Sequence, residues 1–128
     1  MKRILFICVE NACRSQMGEA FARIHGAGVV EAYSAGSAPS GTVNTRAIKV
    51  MGEIGYDLSR HHSKSADALP YDKFDIVVTM GCGDSCPQIK AVERLEWEIP
   101  DPKALPLDEF RAIRDLIEGR VKKLLAGV

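Results

Sequence analysis

"RILFICVENACRSQMGEAFARIHG", residues 3 to 26, decides how the rest of the chain is read. The apolar run from Ile4 to Val9 is continuous rather than alternating, which is the pattern of a strand covered on both faces in a parallel sheet. From Arg14 to His25 the apolar residues Met17, Ala20, Phe21 and Ile24 recur at helical spacing, and Gly26 stops the helix. Between strand and helix lies a short loop in which Cys8 is followed, after five residues, by Arg14 and then Ser15.

Working outward, the same alternation repeats. "VVEAYSAG", residues 29 to 36, reads as a second strand ending in a small-residue turn, and "APSGT" reads as loop. Ala47, Ile48, Met51 and Ile54 mark a helix that Gly55 closes. "FDIVVTM", 74 to 80, is a β-branched strand followed by Gly81. "RLEWEI", 94 to 99, reads as a short last strand before Pro100, with Trp97 anchoring the segment. Phe110, Ile113, Ile117, Val121, Leu124 and Leu125 give the final helix an apolar stripe. Alternating strands and helices predict an α/β three-layer sandwich: a four-stranded parallel sheet between helices, in one domain spanning 1–128. In such sheets ligands sit beyond the carboxyl ends of the strands. Cys8, Ser34 to Gly36, and Gly81 with Cys82 all fall at that edge.

Composition narrows the function classes. Lys plus Arg and Asp plus Glu both count 17, so the net charge of zero argues against a general nucleic-acid or anionic-membrane surface while leaving room for one local anion pocket. No apolar run is long enough for a signal sequence or a membrane span. The expectation is a cytoplasmic protein, and in that compartment four cysteines are reduced and reactive, or metal-binding, rather than a structural disulfide set.

The loop from Cys8 to Ser15 has a definite chemical capacity. Wrapped between a strand and a helix N-terminus, the backbone of Cys8, Val9, Glu10, Asn11, Ala12, Cys13 and Arg14 can turn several N–H groups inward, and the helix dipole adds partial positive charge. The Arg14 fork matches two oxygens of a tetrahedral oxyanion. The same field favours a thiolate, which would make Cys8 a nucleophile, and Ser15 can donate a hydrogen bond to its sulfur. Asn11 tolerates the left-handed backbone that so tight a loop requires. A buried strand cysteine beside a surface arginine is the plainer reading of either residue alone; it does not account for the whole Cys-x5-Arg-Ser arrangement.

"CVENACRS" resembles the phosphate-binding loop of the low-molecular-weight protein tyrosine phosphatase fold. "FICVENACRSQMGEAFAR" resembles, more narrowly, the start of the arsenate reductases built on that fold. "SAG" at 34 to 36, "VVTMGCGDSCP" at 77 to 87 and "DP" at 101 to 102 match the same family in order, so the resemblance spans nearly the whole chain. It implies that Cys8 attacks arsenate to give a thiol–arsenate adduct. Cys82 then takes the Cys8 sulfur as arsenite leaves, and Cys86 closes a Cys82–Cys86 disulfide for an external reductant. It implies Asp101 as the general acid that protonates the departing oxygen. No tightly bound cofactor is expected, but an external thiol is: thioredoxin, or a low-molecular-weight thiol with a glutaredoxin-like protein, as suggested by the short spacer Gly83, Asp84 and Ser85. The expected partners are therefore arsenate and that reductant, with no nucleic acid and no membrane, and the chain acting as a monomer.

Some relatives hold potassium beneath the loop with side chains matching Asn11, Glu19 and Ser34 plus an aspartate. Here the aligned position carries Lys64, whose ammonium can take the ion's place against Glu19, or simply face solvent. The adjacent His61 and His62 read as loop residues. Cys13, before Arg14, reads either as a packed inert thiol or as a trap for oxidised Cys8. Zinc on the four cysteines is disfavoured because the loop needs Cys8 free.

Three functions compete. Arsenate reduction uses every motif. A low-molecular-weight protein tyrosine phosphatase would need only Cys8, Arg14 and Asp101. It leaves Cys82 and Cys86 without a task, and it places Lys103 where the resemblance leads one to expect an aromatic residue. A redox carrier would leave Arg14 and Ser15 unexplained.

Overall fold

A computed structural model describes residues 1–82 and 86–128. Gly83, Asp84 and Ser85, the spacer between the two later cysteines, lie outside the described residues. Strand β1 (Lys2–Cys8) leads into helix α1 (Arg14–His25), then β2 (Val30–Gly36) and α2 (Thr45–Gly52). After two single-turn 3-10 segments, Leu58–Arg60 and Ala66–Ala68, come β3 (Lys73–Thr79), β4 (Lys90–Glu96) and α3 (Leu107–Ala126). The four strands form one parallel sheet in the order β2-β1-β3-β4.

Alternation along β1 divides the core. Ile4, Phe6 and Cys8 pack with Met17 and Phe21 of α1, Val50 and Met51 of α2, and Phe110, Ile117 and Val121 of α3. Leu5 and Ile7 face the other side with Ala35, Val77, Cys82 and Ile89, joined by the partly buried Val9, Ala66, Leu69, Cys86 and Ala91. All three α-helices among the described residues thus cover one face. Among the described residues, the layer on the second face is built from the Ala66–Ala68 turn, Leu69 and the flanks of the Cys82–Cys86 segment. No helix among the described residues is long and apolar enough to cross a membrane.

Two boundaries differ from the sequence reading. The last strand runs from Lys90 to Glu96 rather than from Arg94 to Ile99. It is an edge strand carrying Lys90, Glu93, Arg94 and Glu96, so its apolar signal is weak where it pairs and strong where it has already ended. Helix α2 ends at Gly52, and Ile54 is exposed in the turn that Gly55 closes with φ +87°. The apolar residues of "RLEWEI" beyond the strand still serve the core: Trp97 is buried against Phe6, with ring centroids 6.0 Å apart, and its N–H donates to Thr79 O at 2.8 Å.

Register positions the site. Cys8 pairs with Gly36 and Ile7 with Thr79, so the segments after β1, β2 and β3 leave one edge of the sheet side by side. Met80 N–H then donates to Ile7 O at 2.7 Å, which carries the chain past Cys8 toward Gly81 and Cys82.

Candidate active site

The loop after β1 is held from outside. Ser37 N–H donates to Cys8 O (3.2 Å), Ala38 N–H to Val9 O (2.8 Å), Ser40 N–H to Glu10 O (3.1 Å) and Asn44 N–H to Ala12 O (3.0 Å). Gln16 Nε2 donates to Asn11 O at 3.0 Å. Each carbonyl from Cys8 to Ala12 therefore points away from the loop's centre. No peptide bond here is cis, and across a planar trans peptide the following N–H points the opposite way. The amides of Val9, Glu10, Asn11, Ala12 and Cys13 are thereby turned inward. Asn11 makes the bend with φ +51°, in the left-handed region that asparagine tolerates. Gly36 lets the turn after β2 approach, since a Cβ there would lie 2.6 Å from Val9 O.

Helix α1 begins at Arg14 with no acidic residue in its first turn, so none of its own first-turn side chains offsets the positive end of its dipole. Arg14 is buried, with Nη1 donating to Ile99 O at 3.2 Å and Nη2 lying 3.8 Å from Asp101 Oδ2. Asp101 is half exposed above it, and its Oδ1 accepts from Lys103 N–H at 3.1 Å. Cys8, Glu10, Ala12, Cys13, Arg14, Asn44, Asp101 and Lys103 line one small pocket. That lining contains no aromatic ring, in keeping with a small polar occupant. Amides, a guanidinium and a helix N-terminus converge there on a sulfur, an arrangement able to bind a tetrahedral oxyanion and to attack it.

The orientation of the sulfur's hydrogen bond follows from the buried network around Asn11. Asn11 Oδ1 accepts from Gln16 Nε2 (2.9 Å) and from Lys64 N–H (3.0 Å), so its amide nitrogen must be the group 2.7 Å from Ser15 Oγ. Ser15 accepts that bond and directs its own proton to Cys8 Sγ, 2.8 Å away. A donated hydroxyl proton stabilises sulfur as thiolate. Cys13, the other free thiol, is buried. Desolvation above all, with Asp101 and Cys8 adding to it, pushes its pKa up to about 12, so it stays protonated at neutral pH.

Beneath the loop, Glu19 is buried and accepts from Ser34 Oγ at 2.5 Å and from Arg23 Nε at 2.9 Å. Lys64 Nζ lies 4.0 Å from its other side and donates to His62 O at 3.1 Å. Asn11, Glu19, Ser34 and Lys64 are thus brought together. Arg23, rather than Lys64, is the cation nearest to Glu19. With two cations already facing its carboxylate, this group of residues does not suit a bound metal ion.

Three residues escaped the sequence reading. Gln16 is the hub between Asn11, His62 O and the ring of His61; its only sequence signal is its place directly after Arg14-Ser15. His61 is not a plain loop residue: Nδ1 donates to Gln16 Oε1 at 2.9 Å, and Nε2 accepts from Tyr56 O–H at 2.6 Å. Arg23 is the third, and it lies on α1 with nothing local to mark it.

Cys82 and Cys86 are disulfide-bonded, with Cα atoms 5.2 Å apart, while Cys8 and Cys13 are free. The segment entering Cys82 abuts the site. Gly81 has φ +98° and lies so close to Arg14 that a Cβ there would collide with Nη1.

Comparison with known proteins agrees with this architecture. The family model "Low molecular weight phosphotyrosine protein phosphatase" matches residues 3–128. The glutaredoxin arsenate reductase of a Synechocystis species is 35% identical, over 100% of this chain and 99% of its own. A solved structure described as an arsenate reductase in the phosphate binding state superposes with TM-score 0.90 at 34% identity, covering 100% of this chain and 99% of the other. A thioredoxin-dependent arsenate reductase of Corynebacterium glutamicum superposes with TM-score 0.80 at 32% identity, covering 99% of this chain and 61% of the other. These similarities run along the whole length: the chain belongs to the low molecular weight phosphotyrosine protein phosphatase family, on the side of that family occupied by arsenate reductases.

Proposed function

We propose that this protein reduces arsenate to arsenite, with Cys8, Cys82 and Cys86 as the redox series. The observation that carries the proposal is the Cys82–Cys86 disulfide, whose entering segment is hydrogen-bonded to Ile7 O beside a free Cys8. A phosphatase needs no such pair.

The inward amides of Val9 to Cys13 and the Arg14 fork bind arsenate, and the Cys8 thiolate attacks arsenic. A Cys8 Sγ–As bond forms, an As–O bond breaks, and Asp101 passes its proton to the departing oxygen, which leaves as water. The Cys82 thiolate next attacks Cys8 Sγ. The electron pair of the S–As bond stays on arsenic, which leaves as As(III), and a Cys8–Cys82 disulfide forms. Cys86 then attacks Cys82, which frees the Cys8 thiolate and leaves Cys82–Cys86. Two thiols have been oxidised for the two electrons that arsenic gained, so turnover requires an external thiol and no tightly bound cofactor. A glutaredoxin-type route is favoured by the short cysteine spacing and by the similarity to the Synechocystis glutaredoxin arsenate reductase, with thioredoxin as the competing donor. Lys64 and Arg23 take the place of a cation under the loop by neutralising Glu19.

The test sets arsenate-dependent oxidation of a dithiol beside hydrolysis of p-nitrophenyl phosphate, for the unaltered chain and for Cys82→Ser. The expected result is loss of multiple turnover with arsenate in the variant, with weak phosphatase activity retained. Undiminished arsenate turnover by Cys82→Ser would overturn the cascade.

A further inference from the structure

Glu10 places a carboxylate at the mouth of a pocket built for an anion, where it would repel the substrate. Across that mouth, Lys103 Nζ donates to Glu10 Oε2 at 2.6 Å. Both residues line the same small pocket as Cys8, Arg14 and Asp101. Glu10 cannot retreat with its backbone, because its carbonyl accepts from Ser40 N–H at 3.1 Å and from Ser63 Oγ at 2.8 Å. Lys103 is anchored as well: its own N–H donates to Asp101 Oδ1 at 3.1 Å, while Asp101 Oδ2 lies 3.8 Å from Arg14.

We propose that Lys103 is a positioning residue, clasped to Glu10, that cancels the carboxylate's repulsion and ties the Asp101 segment to the anion loop, thereby setting the pocket's affinity for a doubly charged oxyanion. The proposal rests on the reading of this pocket as the oxyanion site. It explains why a lysine follows Asp101-Pro102 in this chain. Two like charges, the Glu10 carboxylate and the incoming anion, would otherwise meet at the mouth, and the lysine neutralises the first so that the second is tolerated there. The hydrogen bond to Glu10 accordingly raises the affinity of the Lys103 amine for its proton, so Lys103 stays charged at neutral pH. Without Lys103, Glu10 would face the incoming anion directly; with Glu10 also neutral, the repulsion disappears.

That dependence on a second residue supplies the test. Binding of inorganic phosphate to the reduced full chain is measured by calorimetry for Lys103→Met, Lys103→Arg, Glu10→Gln and Lys103→Met combined with Glu10→Gln. Lys103→Met should weaken binding about three- to tenfold at low salt, and the difference should shrink as salt screens it. Lys103→Arg should stay within about twofold, since the charge is kept. Adding Glu10→Gln to Lys103→Met should restore most of the loss, whereas Glu10→Gln alone should change binding within about twofold, because the clasp already cancels that charge; direct anion contact by Lys103 would instead make the two substitutions additive. Unchanged binding in Lys103→Met, or no recovery in the double variant, would overturn the clasp. Phosphate binding needs no turnover: a chain that shows these effects but leaves arsenate unreduced refutes the reductase reading alone.

Discussion

Gly81 packs against the guanidinium of Arg14 with a backbone φ of +98°, leaving no room for a side chain. The residue directly before Cys82 therefore also sets the position of the Arg14 guanidinium. Gly81→Ala should cost about 1–3 kcal/mol of stability from the left-handed backbone alone. It should also push Arg14 off Ile99 O and lower kcat/KM for arsenate by about tenfold or more. Thermal unfolding and steady-state kinetics check the two effects. A variant with native kinetics would show that Arg14 tolerates displacement.

Lys64 and Arg23 both face Glu19 beneath the loop, so activity should not depend on potassium. Burial lowers the pKa of Lys64, with Glu19 opposing, which marks the ammonium as partly withdrawn from water. Lys64→Ala should raise KM for arsenate by about two- to fivefold while changing kcat less, because the loop is loosened rather than the chemistry removed. Kinetics in sodium and in potassium buffers decide the point; strong potassium activation of the unaltered chain would count against it.

Cys13 should resist alkylation where Cys8 does not. With its pKa raised to about 12 by burial, Cys13 holds its proton when the unfolded thiol, at 9.0, has lost it. In that interval the folded state binds more protons, so stability is full below pH 9 and declines as pH rises toward 12. Cys13→Ala should flatten this alkaline decline, measured by denaturant titration at stepped pH. Mass spectrometry after iodoacetamide at neutral pH should find the label on Cys8 and none on Cys13.

His61 supplies the opposite slope. Burial, against the pull of Glu19, holds the ring's pKa below its ordinary 6.5. Its neutral form fits the network, with Nδ1–H on Gln16 and Nε2 accepting from Tyr56. As pH falls below 6.5 the unfolded chain takes up a proton that the folded ring resists. Stability should therefore be fully present above 6.5 and decline as pH drops toward the lower folded value. In His61→Gln that acid slope should diminish. An unchanged slope would mean that another group titrates.

Much of the candidate site was legible in the chain. Cys8, Arg14 and Ser15 lie within eight residues, and the turn that joins them is made locally, by a strand ending and a helix beginning. The apolar runs of β1 and β3 likewise announced a parallel sheet, because strands buried on both faces lose polar alternation. The edge strand β4 was misplaced because an exposed edge keeps its charges.

Spacing within a few residues therefore specifies the order of the elements, the parallel sheet and the tight Cys-x5-Arg loop between β1 and α1. Only the tertiary structure decided which groups support that loop: His61 on Gln16, Arg23 beside Glu19, Gly81 against Arg14 and Lys103 across to Glu10. The physical reason is separation along the chain. Most of these contacts join residues tens of positions apart, and even the helical turn from Glu19 to Arg23 acquires its role only when Ser34 and Lys64 fold onto the same carboxylate. Periodicity records which face of an element is buried, and it carries no information about the polar partner it will meet there.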